Sequence, residues 1–252
     1  MMFGEIGLDI LLLLALAGFL AGFIDSIAGG GGLVTVPALL LAGFSPVEAL
    51  GTNKLQGVFG SGSATWSYAS AGLVDLRRQL PWALLALLGS IAGALLATVL
   101  PGEWLRAALP PMLVLIALYF AFKPDMGDVD RARRLPPVLF GLTMVPLIGF
   151  YDGLFGPGAG SFFMLAFVAL AGYGVLKATA HTKLLNFSSN LGSLILFAAV
   201  GAVSWKVGLV MGAAQFVGAR LGARLAMKAG ARLIKPLLVV TCVVLALRLL
   251  LG

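Results

Sequence analysis

Apolar residues fill this chain in blocks near 20 residues long, about the length a helix needs to cross a bilayer, and the blocks recur from end to end. Residues 8–24 form the first block. Residues 33–44 form a second, roughly 18 Å long as a helix and too short to span alone. Residues 52–74, 79–100 and 104–122 are three longer ones. A charged stretch, KPDMGDVDRARR (residues 123–134), interrupts the pattern. The order then returns as 135–155, 159–173, 181–203, 206–227 and 233–251. The pattern predicts an all-α, polytopic membrane protein.

The return is a true repeat. GFIDSIAGGGGLVTVPALL in the first half faces GFYDGLFGPGAGSFF in the second. Gly22, Phe23, Asp25, Gly29 and Gly31 fall on Gly149, Phe150, Asp152, Gly156 and Gly158 at an offset of 127. After a gap of two, Gly43, Lys54, Leu55, Gly89 and Gly93 fall on Gly172, Lys183, Leu184, Gly218 and Gly222. Internal duplication follows. The expected organisation is a first membrane repeat over 1–122, a linker over 123–134 and a second repeat over 135–252.

Composition agrees: 60% of residues are hydrophobic, 11% are charged and mean hydropathy is +1.06. The net charge of +7 then reflects basic loops beside anionic lipid rather than nucleic-acid binding. Loop Lys and Arg also decide how many segments each half has. Five per half puts ten of the twelve loop cations on one side, leaving only Arg106 and Lys206 on the other. Four per half splits them seven to five. The odd count wins by the positive-inside rule, so the second copy is expected upside down relative to the first. The linker is then cytoplasmic and the N-terminus outside. The N-terminal stretch, with Glu5 and Asp9 and no basic region, does not read as a signal peptide. Cys242, the single cysteine, offers neither a disulfide nor a thiolate metal site.

Two glycine breaks carry the first candidate chemistry: Gly29, Gly30, Gly31 and Gly32 in one half, Gly156, Pro157, Gly158, Ala159 and Gly160 in the other. The shortness of block 33–44 places the break inside the membrane, as a broken or re-entrant segment. Such backbone must be buried in protein or line an aqueous cavity. Unpaired N–H groups at a helix start form an anion site without a charged side chain. The alternative is a turn or close packing. Inverted repeats whose broken helices meet near the midplane are a recurrent transporter plan.

Polar patches supply the second set. Thr52, Asn53, Lys54 and Gln56 open one block, and His181, Thr182, Lys183, Asn186 and Asn190 open its counterpart. Intramembrane cations are functional candidates, with snorkelling to the headgroups as the alternative. Asp25 and Asp152, just before the breaks, are candidates for a coupled proton or for capping the broken backbone. His181 is a third proton candidate. Neither a metal site nor a cofactor is expected, because one histidine without a carboxylate or cysteine cluster cannot build one. Asp125, Asp128 and Asp130 lack calcium-loop spacing and read as solvated linker. Trp66, Trp82, Trp104 and Trp205 read mostly as interfacial anchors. Gly89/Gly93 and Gly218/Gly222 read as helix-packing pairs.

GFIDSIAGGGGLVTVPALL, ALGTNKLQ, GFYDGLFGPGAGSFF and ATAHTKLLNFSSN, in that order, resemble the TauE/SafE family of sulfite exporters and toluene sulfonate uptake permeases, and most closely its YfcA-like branch. The resemblance implies a bacterial inner-membrane permease for small organosulfur anions such as sulfite, thiosulfate or sulfonates. The second half departs from the first at Pro157 and at His181-Thr182. The expected function is secondary transport of a small anion. The substrate would be held by Gly29, Gly30, Gly31, Gly156 and Gly158 together with the polar patches. A membrane-embedded enzyme acting on a lipid or thiol is the runner-up; it lacks a nucleophile, a metal set and a general-base pair.

Overall fold

Helix α1 (Leu8–Ala28) ends where glycine makes continuation expendable, and α2 (Gly32–Leu41) resumes after three residues. The computed structural model describes residues 7–101, 103, 104, 107, 111, 128–230 and 232. Within them every regular element is a helix. After α2 come α3 (Pro46–Ser70), α4 (Leu76–Val99), α5 (Pro137–Leu154), α6 (Ala159–Ala169), α7 (Val175–Ala199) and α8 (Trp205–Ala229). The expected segments 104–122 and 233–251 lie almost wholly outside the described residues, as do Arg106, Asp125 and Cys242.

Among the described residues three helices, α1, α4 and α5, are long and apolar enough to cross a bilayer. Their outward faces carry exposed leucines, Leu13, Leu88 and Leu142 among them, which are stable only where hydrocarbon is the solvent. The protein is a membrane protein. By contrast α2 and α6, about 15 Å and 17 Å long, are too short to cross.

Two helix starts differ from the sequence expectation. The third block begins at Pro46 rather than Thr52. Ser45 is its N-cap: Glu48 N–H donates to Ser45 Oγ (3.3 Å), and the Glu48 carboxylate accepts from Ser45 N–H (3.2 Å). This is a capping box with proline at the first helical position. Its counterpart, α7, begins at Val175 rather than His181 and is capped from the linker. Gly174 N–H donates to Asp130 Oδ1 (2.7 Å) and Leu176 N–H to Asp128 Oδ1 (3.3 Å). Asp128 and Asp130 are therefore cap residues rather than solvated linker. Hydrogen bonds from Lys177 (2.6 Å) and from Gly174 hold the Asp130 carboxyl below the usual carboxylate range.

The halves interlock. Helix α1 packs along α8, and its repeat counterpart α5 packs along α4, while α3 and α7 cross between them. Added Cβ atoms at Gly89 and Gly93 would overlap the carbonyls of Pro146 and Phe150; at Gly218 and Gly222 they would overlap those of Phe19 and Phe23. These contacts are equivalent under the repeat, and they let helix backbones touch. Lys177, Asp75 and Arg78 line one recess, so the α3–α4 turn and the start of α7 share one end of the bundle. At another turn, Ser204 N–H donates to Thr52 Oγ1 (3.0 Å). Trp82 is half-buried and packs against Phe140 and Phe167 (centroids 5.4 and 6.1 Å). Trp66, Trp104 and Trp205 are exposed, as anchors would be.

Candidate functional site

Because α1 and α5 both stop short, their broken ends meet. A Cβ on Gly29 would fall 2.5 Å from Ser161 N and 2.7 Å from Gly160 C, and one on Gly32 would fall 3.2 Å from Pro157 Cα. Only glycine allows so close an approach. Each break is braced: Tyr68 OH donates to Ser26 O (2.8 Å), Tyr151 OH to Pro157 O (2.6 Å) and Ser161 Oγ to Ala28 O (3.1 Å).

The polar patches lie beside this junction rather than at the ends of helices. Lys54 and Lys183 each stand eight residues into a helix, about 12 Å along its axis. Both are fully buried, which excludes snorkelling. Lys54 Nζ donates to Asp152 Oδ1 (2.6 Å) and Asp152 O (2.5 Å). Lys183 Nζ donates to Asp25 Oδ2 (3.3 Å) and to Asp25 O. Each lysine thus reaches the aspartate of the other half and ties down both its carboxylate and its backbone carbonyl.

The two aspartates are otherwise unlike. Gly31 N–H donates to Asp25 Oδ1 (3.2 Å), so Asp25 caps its own break. The second oxygen of Asp152 instead accepts from the Ser189 hydroxyl. Among the described residues no acceptor takes the N–H of Gly158, the counterpart of Gly31.

Between the breaks lies a small polar cavity of about 20 Å³, room for roughly one water. Gly30, Gly31, Gly156 and Gly158 line it, with Asn53, Asn186 and Asn190 and the two aspartates. Two of these amides have a fixed orientation. Asn53 Oδ1 accepts from Thr35 Oγ1 (2.7 Å) and Gln56 Nε2 (3.2 Å), which leaves its Nδ2 as a free donor. Asn186 Oδ1 accepts from Asn190 Nδ2 (3.3 Å), and its own Nδ2 is turned toward Gly160. One locked N–H₂ donor therefore comes from each half.

The remaining sequence candidates sit apart from the cavity wall. Gln56 orients Asn53, Thr52 receives the start of α8, and the buried Thr182 hydroxyl has no partner among the described residues. His181 packs against Phe167 and Tyr173 (5.7 and 5.0 Å) and does not line the cavity. Among the described residues no cluster of metal-ligating side chains occurs.

The sequence model of the family described as "Sulfite exporter TauE/SafE" matches residues 14–249. The chain belongs to the TauE/SafE family. It is 62% identical to "Probable membrane transporter protein ORF9" of Sinorhizobium sp, over 98% of this chain and 94% of that one. It is 49% identical to "Probable membrane transporter protein YfcA" of Escherichia coli K12, over 92% and 86% of the two chains. A "Probable membrane transporter protein" of Haemophilus influenzae is 48% identical over 94% and 92%. No solved structure matches the chain. As a TauE/SafE protein it is a membrane transporter, and the relatives' names point to transport rather than catalysis.

One lining residue of this TauE/SafE cavity went unread in the sequence. Gln215, on α8, is 4% exposed, and its Oε1 has no donor among the described residues. Its repeat counterpart is Ala86. The repeat therefore gave no signal there, and only a lone amide within an apolar block marked it.

Proposed function

We propose that the chain is a secondary transporter for a small sulfur oxyanion such as sulfite or a sulfonate, built as an inverted repeat. The observation that carries this reading is the cavity where both glycine breaks meet, faced by one locked amide donor from each half. Donors that are already fixed lose little on binding, and a buried oxyanion gains charge-assisted hydrogen bonds from them. The free Gly158 N–H adds a backbone donor beside a helix start. The cavity is too small for such an anion, so the substrate enters when the two halves move apart at the breaks. Asp25 and Asp152 are the candidates for carrying a coupled proton, since both line the cavity.

Flux measurements on the purified protein in proteoliposomes test the reading, with sulfite and sulfonates as probes. Asn53→Ala and Asn186→Ala should each weaken apparent affinity by about 10- to 150-fold, the effect of losing a hydrogen bond of about 1.5–3 kcal/mol to a charged group. Wild-type affinity in both variants overturns the assignment.

The reciprocal lysine–aspartate pairs and the reciprocal glycine contacts are what a two-fold relation between halves produces. The proposed setting is the inner membrane, with the linker cytoplasmic and the N-terminus outside. It gains support from the basic residues gathered with the linker at one end of the bundle. In a Cys242→Ser background, Val129→Cys should label from the cytoplasm and Val200→Cys from outside. Labelling of both from one side removes the inverted arrangement.

A further inference from the structure

The charges around the cavity cancel. Two lysines and two aspartates form two cross-half pairs, and before any coupled proton binds each pair sums to zero whichever partner holds its one proton. Among the described residues the cavity lining includes no other ionisable side chain; the rest is glycine, alanine and amide. The groups left to meet a ligand are dipoles: the amides of Asn53, Asn186 and Gln215 and the N–H of Gly158.

A cavity of dipoles with no net charge treats single and double charges differently. The cost of taking an ion out of water rises with the square of its charge. The attraction of fixed dipoles rises only in proportion to that charge. Doubling the charge therefore quadruples the penalty and only doubles the gain. A neutral molecule of the same shape is also disfavoured, because it lacks the charge that makes these hydrogen bonds strong.

We infer that this site selects a singly charged oxyanion, a sulfonate or the hydrogen form of an inorganic sulfur oxyanion, over dianions and neutral molecules of the same size. The inference rests on the transport reading above and adds the charge of the substrate to it. The lysines then act as counter-ions that hold two carboxylates in the wall, and they do not serve as ligands.

Three tetrahedral probes of similar size separate the outcomes: dimethyl sulfone (uncharged), methanesulfonate (one charge) and sulfate (two). Their charges are fixed near neutral pH, so titration of the probe does not intrude. In proteoliposomes the wild-type protein should carry methanesulfonate in preference to sulfate by at least about tenfold, and dimethyl sulfone not at all. Asp25→Asn leaves Lys183 uncompensated and makes the cavity positive. The sulfate-to-methanesulfonate flux ratio should then rise by about tenfold or more. If that variant does not fold, Asp152→Asn reads the same added charge from the other half. The double variant Asp25→Asn/Lys183→Gln restores zero charge, and its flux ratio should return to the wild-type value at whatever turnover it keeps. Equal carriage of sulfate and methanesulfonate by the wild type overturns the charge selection alone. An altered ratio in the double variant, or an unaltered one in the single, does the same. Carriage of no sulfur oxyanion by the wild type overturns the transport reading itself.

Discussion

Lys54→Gln should lower the stability of the folded protein by about 3–5 kcal/mol, the range for removing one partner of a buried ion pair. Lys54 is fully buried, and the Asp152 side chain is 3% exposed, so bulk water cannot replace the lost cation. The Ser189 hydroxyl is then the one side-chain donor left to Asp152 among the described residues. The Asp152 carbonyl, which accepts from the same Nζ at 2.5 Å, loses that donor too. Lys54→Gln/Asp152→Asn should recover most of the loss, because two neutral amides can bond each other without a buried charge. Thermal unfolding in detergent compares the two. If the double variant is no more stable than the single, the lysine is needed for something other than its aspartate. Lys183→Gln should be milder: Asp25 keeps the Gly31 N–H, and its ion pair is longer at 3.3 Å.

The repeat was legible in the sequence because glycine, aspartate and lysine recur at fixed offsets through both halves. From the apolar pattern came the all-helical fold and the short α2, and from the repeat the idea that the two breaks carry the site. The cross-half pairing was harder to read. Asp25 and Lys54 lie 29 positions apart in sequence and look like members of one half-site. In the fold each bonds the other half instead: Asp25 pairs with Lys183 and Lys54 with Asp152. The early starts of α3 and α7 were missed for a different reason. The Ser45-Pro46-Val47-Glu48 capping signal was present, but the apolar pattern alone drew the boundary at Thr52. At α7 no such local signal exists, since its caps come from Asp128 and Asp130, more than 40 residues earlier. That shift of six residues sets both lysines about 9 Å deeper in their helices and removes the snorkelling alternative.

Gly29→Ala should cut transport sharply, and it tests whether the two breaks have to touch. Gly29 has φ 80° and ψ 173°, a region open essentially to glycine alone. Forcing a side chain there costs about 1–3 kcal/mol in backbone strain. The added Cβ would also press on Ser161 N at 2.5 Å and Gly160 C at 2.7 Å, which are backbone atoms of the opposite break. Those atoms cannot swing aside as a side-chain end would, so the breaks must part. The crowding adds about 1–3 kcal/mol and displaces the donors that face the cavity. Strain and displacement are separable through Gly43→Ala. Gly43 also has positive φ, at 92°, but a Cβ there meets nothing within 4 Å. Gly43→Ala should therefore lose about 1–2 kcal/mol of stability while keeping transport. Gly29→Ala should lose more stability and cut flux by about tenfold or more, as expected when 1.4 kcal/mol or more of substrate binding is lost. Flux through Gly29→Ala equal to that through Gly43→Ala would show that contact between the breaks is structural only.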